Sequence, residues 1–194
     1  MTRIGILLFD GVEELDAVGP WEILGMWAHR HPQEAQVVAF ADRPGPIRGA
    51  KGLQFLVEHG KDDVGPLDVL VHPGGSGIRP LLKSREHLEW LRSCSEQTGL
   101  MTSVCTGALV FAAAGLLLGR PATTHWMSLD LLTEVDPTVV VRYEHRFVDD
   151  GNIITSAGVS AGIDMALHLV KRLASPERAK EIRLSVQYDP EPPV

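Results

Sequence analysis

Short, almost uninterrupted apolar runs, each stopping on a turn, constrain this chain most. Ile4 to Phe9 closes on Asp10-Gly11, Asp68-Val69-Leu70-Val71 ends at Pro73-Gly74-Gly75, and Leu100 to Val104 ends at Cys105. A strand that is apolar at every position is buried on both faces, and such strands belong inside a parallel sheet. Val37 to Phe40 adds another strand, Ala122 to Thr124 and Thr138 to Val141 shorter ones, and two more flank Asp149-Asp150-Gly151. The Gly45-Pro46 and Gly49 to Gly52 turns before Leu53 to Val57 read as a hairpin-like excursion. Helical patterns alternate with these strands. One carries Trp21, Ile23, Leu24 and Trp27 behind Gly19-Pro20, with Pro20 in the first turn and an end near His31-Pro32. Others cover His87 to Thr98, Gly107 to Ala114, Ser128 to Glu134, Ala161 to Leu173 and Pro176 to Tyr188. The alternation predicts an α/β fold, a doubly wound and mostly parallel sheet with helices on both faces, and ligands meet such sheets at the carboxyl ends of the strands. At 194 residues the expectation is one domain over residues 1–194, with the proline-rich end Pro190-Glu191-Pro192-Pro193 unstructured or packed on a neighbour.

Ser103-Val104-Cys105-Thr106-Gly107 joins two apolar runs through a cysteine. An abrupt strand-to-helix bend lifts its corner residue out of the packing, and small residues at both second neighbours suit the bend for the steric reason that places glycines around a nucleophile elbow. The helix N-terminus favours an anion, so the Cys105 thiol is expected to ionise more readily than a free one. Three loops end presumed parallel strands near one another: Asp10 to Asp16, Pro73 to Gly77, and Cys105 to Gly107. Backbone N–H groups of Gly75 and Thr106 are expected beside the sulfur as oxyanion donors. Asp16 lies in the apolar stretch Leu15-Asp16-Ala17-Val18, where an ionised carboxylate is costly, so it reads as a neutral acid able to donate to the thiolate, or else as a helix cap or salt-bridge partner. Glu13 and Glu14 read as solvated, and Cys94 as core packing. His125 stands at the end of the Ala122 to Thr124 strand, equally suited to a base and to a structural contact.

A net charge of -7 and the lack of any Lys or Arg cluster argue against nucleic-acid and membrane-surface partners. Two cysteines make no disulfide framework, no signal-type core precedes the first strand, and the longest apolar stretch, Ala108 to Leu118, is too short to cross a bilayer. A cytoplasmic location is expected. The eight histidines show no metal-ligand spacing, and Pro73-Gly74-Gly75-Ser76-Gly77 lacks the lysine and serine or threonine of a nucleotide loop.

Five stretches together resemble the ThiJ/PfpI superfamily, which has the flavodoxin-like fold of class I glutamine amidotransferases. They are Leu15-Asp16 with Gly19-Pro20; Pro73-Gly74-Gly75; Ser103 to Gly107 continuing to Ala114-Gly115-Leu116-Leu117; Ala122-Thr123-Thr124-His125-Trp126; and Ala161-Gly162-Ile163-Asp164. Within the superfamily the chain is most similar to the isocyanide hydratase branch. The resemblance implies hydration of an isocyanide to an N-substituted formamide, without metal or organic cofactor, with Cys105 as nucleophile, Asp16 as acid, Thr106 as hydroxyl and amide beside the sulfur, and Gly75 as an amide donor. Gly74, Ser76, His125, Trp126, Gly158 and Val159 are the pocket residues it suggests, and a homodimer the assembly. PfpI-type peptidases carry histidine where Thr106 stands, glyoxalase-like relatives carry glutamate where Asp16 stands, and hydratases tend to carry threonine where Val18 stands. AraC-type regulators share the domain but add a helix-turn-helix segment, which this chain is not expected to have. Two other readings of the same motifs are a small-molecule-binding or oxidation-sensing module and a hydrolase or glyoxalase-like enzyme.

Overall fold

The computed structural model describes residues 1–190. Strand β1 (Thr2–Leu7) leads to α1 (Glu14–Arg30), β2 (Ala35–Ala41), the hairpin of β3 (Gly45–Arg48) and β4 (Gln54–Val57), β5 (His59–Gly60) and β6 (Val69–His72). One helical turn, α2 (Ile78–Leu81), precedes α3 (Arg85–Gln97), β7 (Leu100–Val104), α4 (Gly107–Ala113), β8 (Pro121–Ala122), α5 (Leu129–Val135) and β9 (Val140–Val141). The described chain closes with β10 (Phe147–Asp150), β11 (Ile153–Ser156), α6 (Ala161–Leu173) and α7 (Pro176–Ser185). Of the proline-rich end, residues 191–193 lie outside the described residues.

Seven strands form the main sheet in the order β10-β11-β7-β6-β1-β2-β5, parallel throughout except for β10 against β11. The apolar runs at β1, β6 and β7 occupy its middle and alternate faces at every residue. Ile4, Ile6, Val69 and Val71 pack with α1 and α6 on one side, while Leu7, Leu70 and Met101 pack with α3 and α4 on the other. Helices α1 and α6 approach closely because Gly19 leaves room for Ile163 and Gly162 leaves room for Pro20 and Val104.

Two expectations about local structure are corrected. Helix α1 begins at Glu14, so Pro20 lies inside it, and Asp16 belongs to its first turn and not to the loop after β1. A proline there has no N–H for the carbonyl four residues earlier, which is that of Asp16, and the fit of Pro20 against Gly162 offsets part of that loss. The segment from Ala122 to Thr124 is likewise not a strand of the main sheet. Only Pro121–Ala122 pairs, with Val140–Val141, in a separate two-stranded ribbon.

Strand β1 has β2 on one side and β6 on the other, so the chain leaves the carboxyl ends of β1 and β6 in different directions and opens a crevice there. The two loops at that crevice are joined by backbone. Glu13 N–H donates to the Gly74 carbonyl at 2.9 Å, Gly77 N–H to that of Gly11 at 3.0 Å, and Val12 bridges Gly75. These bonds seat the start of α1, and Asp16 with it, beside the end of β6.

Candidate active site

Cys105 occupies the corner between β7 and α4 with φ of 57°, a left-handed conformation rarely taken by residues other than glycine, asparagine and aspartate. Its backbone is fixed from both ends. The N–H is shared between the carbonyls of Ser156 at 3.1 Å and Ala157 at 3.0 Å, and the carbonyl accepts from the Thr124 hydroxyl at 2.7 Å. Strain of this kind, of order 1–3 kcal/mol, persists only where the surroundings over-determine it. Gly107 is required by close approach, since a Cβ there would stand 2.3 Å from the His72 carbonyl oxygen.

The corner does not lift the side chain clear of the packing. Cys105 is 6% exposed and belongs to the buried cluster of the α1 and α6 face. Burial and then the nearby Asp16 charge push its thiol up to about 12, opposed by the backbone N–H groups of Val159 and Thr106. The expectation of a thiol that ionises more readily than a free one is therefore reversed, because desolvation outweighs the helix N-terminus. Cys94, partly buried in α3 with its sulfur 3.3 Å from the Thr98 hydroxyl, is a packing residue.

Asp16 is fully buried. Its Oδ2 accepts from Gly74 N–H at 2.9 Å, whereas Oδ1 is buried without a hydrogen-bond partner. Burial raises its carboxyl to about 7, with the Gly74 N–H and the Cys105 thiol acting in the opposite direction and Glu13 adding to the rise. Asp16 and Cys105 thus perturb each other directly. With both groups raised by burial, the pair keeps one proton after losing its first, either as thiol with carboxylate or as thiolate with carboxylic acid.

The donors around the sulfur differ from those expected. Gly75 N–H donates to Thr106 Oγ1 at 2.9 Å and is not an oxyanion donor. The Thr106 hydroxyl is thereby turned to the Pro73-Gly74-Gly75 loop, and a Cβ on Gly74 would sit 2.4 Å from it. Backbone N–H groups of Thr106 and Val159, the latter a β-branched residue at φ of 43°, act to lower the thiol. Gly158 lies against His125, where a Cβ would come within 2.3 Å of the ring. His125 itself caps the short turn Trp126–Ser128, its Nδ1 accepting from Met127 N–H at 3.3 Å. Trp126 and Ser76 are exposed. Among the described residues no group of three or more His, Cys, Asp or Glu is placed to hold a metal ion, and no helix is long and apolar enough to cross a membrane.

Sequence reasoning passed over His72 and His87, buried on the opposite face of the sheet. The available signal was a histidine ending the otherwise apolar run from Val69 to Val71, where a polar side chain must find partners inside the core.

The chain is 40% identical to an isonitrile hydratase of Pseudomonas putida over 98% of its own length and 80% of that protein's. It is 30% identical to an HTH-type transcriptional regulator of Pseudomonas aeruginosa, matching 94% of this chain and 48% of the regulator. A crystal structure of a ThiJ/PfpI family protein from Pseudomonas syringae superposes with a TM-score of 0.89 at 32% identity, covering 100% of this chain and 77% of the other. Residues 2–172 match the DJ-1/PfpI family, and with the parallel sheet, the strained cysteine corner and the apposed loops in place, the chain belongs to that family.

Proposed function

We propose that the protein hydrates isocyanides to N-substituted formamides, with Cys105 as nucleophile and Asp16 as acid. The observation that carries this reading is a fully buried carboxyl, Asp16, acting on a buried cysteine held in a strained corner, Cys105, coupled with the likeness to an isonitrile hydratase. In the thiolate and carboxylic acid form, the sulfur bonds to the terminal carbon of R–N≡C while the Asp16 proton passes to that same carbon, giving a thioimidate, R–N=CH–S–Cys105. The carboxylate left behind takes a proton from water as the water oxygen adds to the thioimidate carbon. The carbon–sulfur bond then breaks to return the thiolate, the proton of the added hydroxyl passes to nitrogen, and R–NH–CHO leaves with the pair restored. Water and isocyanide enter and formamide leaves, with no redox change.

The enclosed sulfur suits such a substrate. A terminal isocyanide carbon carries no substituent beyond its nitrogen, so it makes the smallest demand for space at a sulfur that is only 6% exposed. The backbone N–H groups of Thr106 and Val159 act to favour the thiolate form. Pairing of two copies is part of the proposal, because α1 leaves Leu15, Val18 and Trp21 between 37% and 42% exposed. Sedimentation as a monomer at micromolar concentration would remove that part.

The test is incubation with cyclohexyl isocyanide, following N-cyclohexylformamide by chromatography. Product formed by the wild type and absent with Cys105→Ala supports the reading. Absence of Cys105-dependent product, or turnover confined to esters, amides or 2-oxoaldehydes, overturns it.

A further inference from the structure

The same peptide unit that holds Asp16 is held from its other side by a buried histidine. His72, fully buried at the end of β6, has Nδ1 2.7 Å from the Pro73 carbonyl oxygen. That carbonyl and the Gly74 N–H belong to one peptide bond, and the N–H donates to Asp16 Oδ2 at 2.9 Å. A carbonyl oxygen only accepts, so His72 carries its proton on Nδ1 and leaves Nε2 as an acceptor. Nε2 lies 3.1 Å from His87 Nε2, which must then be the donor, leaving His87 Nδ1 to accept from Lys61 Nζ at 3.3 Å. Lys61 is anchored in turn by Asp42 at 3.1 Å and by the Trp90 ring at 4.5 Å. Every donor along this chain points the same way, from Lys61 to Pro73.

We propose that His72 is a positioning residue for Asp16, acting through the Pro73–Gly74 peptide, with His87 and Lys61 fixing its tautomer. By donating to the carbonyl, His72 orients the peptide plane and polarises it, and the N–H on the opposite edge becomes a stronger donor to the Asp16 carboxylate. The inner imidazoles stay neutral through this, burial depressing His72 to about 4 and His87 to about 3. Rings of Phe9 and Phe111 flank His72 at centroid distances of 5.6 and 5.9 Å, so no water competes from those sides. The other groups acting on Asp16 are Glu13, Lys51 and Cys105, none of which touches this chain of bonds.

The inference rests on Asp16 being the acid of the proposed reaction, but its test needs no substrate, so the two fail separately. The Asp16 carboxylic C=O band is titrated by infrared difference spectroscopy against Asp16→Asn, in the wild type, His72→Leu and His72→Asn. Leucine removes the donor, and the Asp16 midpoint is expected to move up by about half a pH unit or more. Asparagine places an N–H near the position of Nδ1 and is expected to restore the wild-type midpoint, which a loss of packing alone does not predict. Identical midpoints in the wild type and His72→Leu overturn the proposal. Should the leucine variant not fold, histidine nitrogen NMR of the intact protein decides instead: an Nδ1–H tautomer at His72 supports the relay, and an Nε2–H tautomer overturns it.

Discussion

Two buried titratable pairs sit on opposite faces of one sheet, and burial acts on both while leaving them with different chemistry. Asp16 and Cys105, on the α1 and α6 side, are groups whose charged forms are anions, so desolvation raises both and a proton is retained between them. His72 and His87, on the α3 and α4 side, have cationic charged forms, so desolvation lowers both and extra protons are refused. One pair has a proton to give and the other supplies oriented donors that do not titrate near neutrality. Buried polarity thus keeps a mobile proton where two anionic groups compete for it, and stays rigid where every donor has one fixed acceptor.

The largest effect that would break this comparison is expected at the sulfur. Cys105→Ala should lower isocyanide turnover by at least roughly a thousandfold, with little change in the thermal midpoint, measured side by side on one preparation. Asp16→Asn keeps the shape but has no transferable proton, and should cost about 10²–10⁴ in rate. The same variant has an opposite effect on stability. The folded carboxyl near 7 lies above its ordinary 3.8, so the native state holds this proton more tightly than the unfolded chain. That contribution is complete below about pH 4 and lost as pH rises through 7. Relative to Asp16→Asn, the wild type should therefore lose up to about 4 kcal/mol between pH 4 and 8 in denaturant titrations; a parallel pair of pH profiles would contradict it.

The histidine face should show the mirror image. His87 titrates near 3 when folded and near 6.5 otherwise, so the unfolded chain takes up protons first and stability falls as pH drops below 6.5. His87→Gln retains a donor towards His72 without the titration, and should gain on the order of 3 kcal/mol relative to the wild type by pH 4. The smallest effect is expected at the corner itself. Thr124→Val removes the hydroxyl that donates to the Cys105 carbonyl and should cost about 1–2 kcal/mol by chemical denaturation, with a larger loss of rate than of stability because the strained corner loses one of its restraints.

The frame of the fold was legible where a single local rule governed. The apolar runs at β1, β6 and β7 and the patterns behind α3, α6 and the β3–β4 hairpin placed most of the sheet and its helices. Local rules failed where distant contacts decided. Gly19-Pro20 reads as a helix start, yet it sits inside α1 because both residues fit against α6, and this carried Asp16 from a loop into a helical turn. The candidate site shows the same division. The cysteine corner was visible as two apolar runs meeting at a small-residue bend, and Asp16 as an acid in apolar company. The state of the thiol was not, since a helix N-terminus can be inferred from sequence while the depth of burial opposing it comes from the packing of α1 and α6. The destination of the Gly75 N–H was equally hidden, because it depends on which way the Thr106 hydroxyl turns. His72 left a trace only as a polar residue at the end of a buried strand, and its partners come from α3 and the segment after β5.

Everything proposed for the reaction depends on burial keeping the Asp16 carboxyl protonated up to near-neutral pH. Infrared titration of the Asp16 carboxylic C=O band in the wild-type protein, without substrate, measures this most directly. The account predicts a midpoint near 7, with the band absent from Asp16→Asn. A midpoint at the ordinary carboxylate value near 3.8 would show an acid already ionised well below neutral pH, and would contradict it.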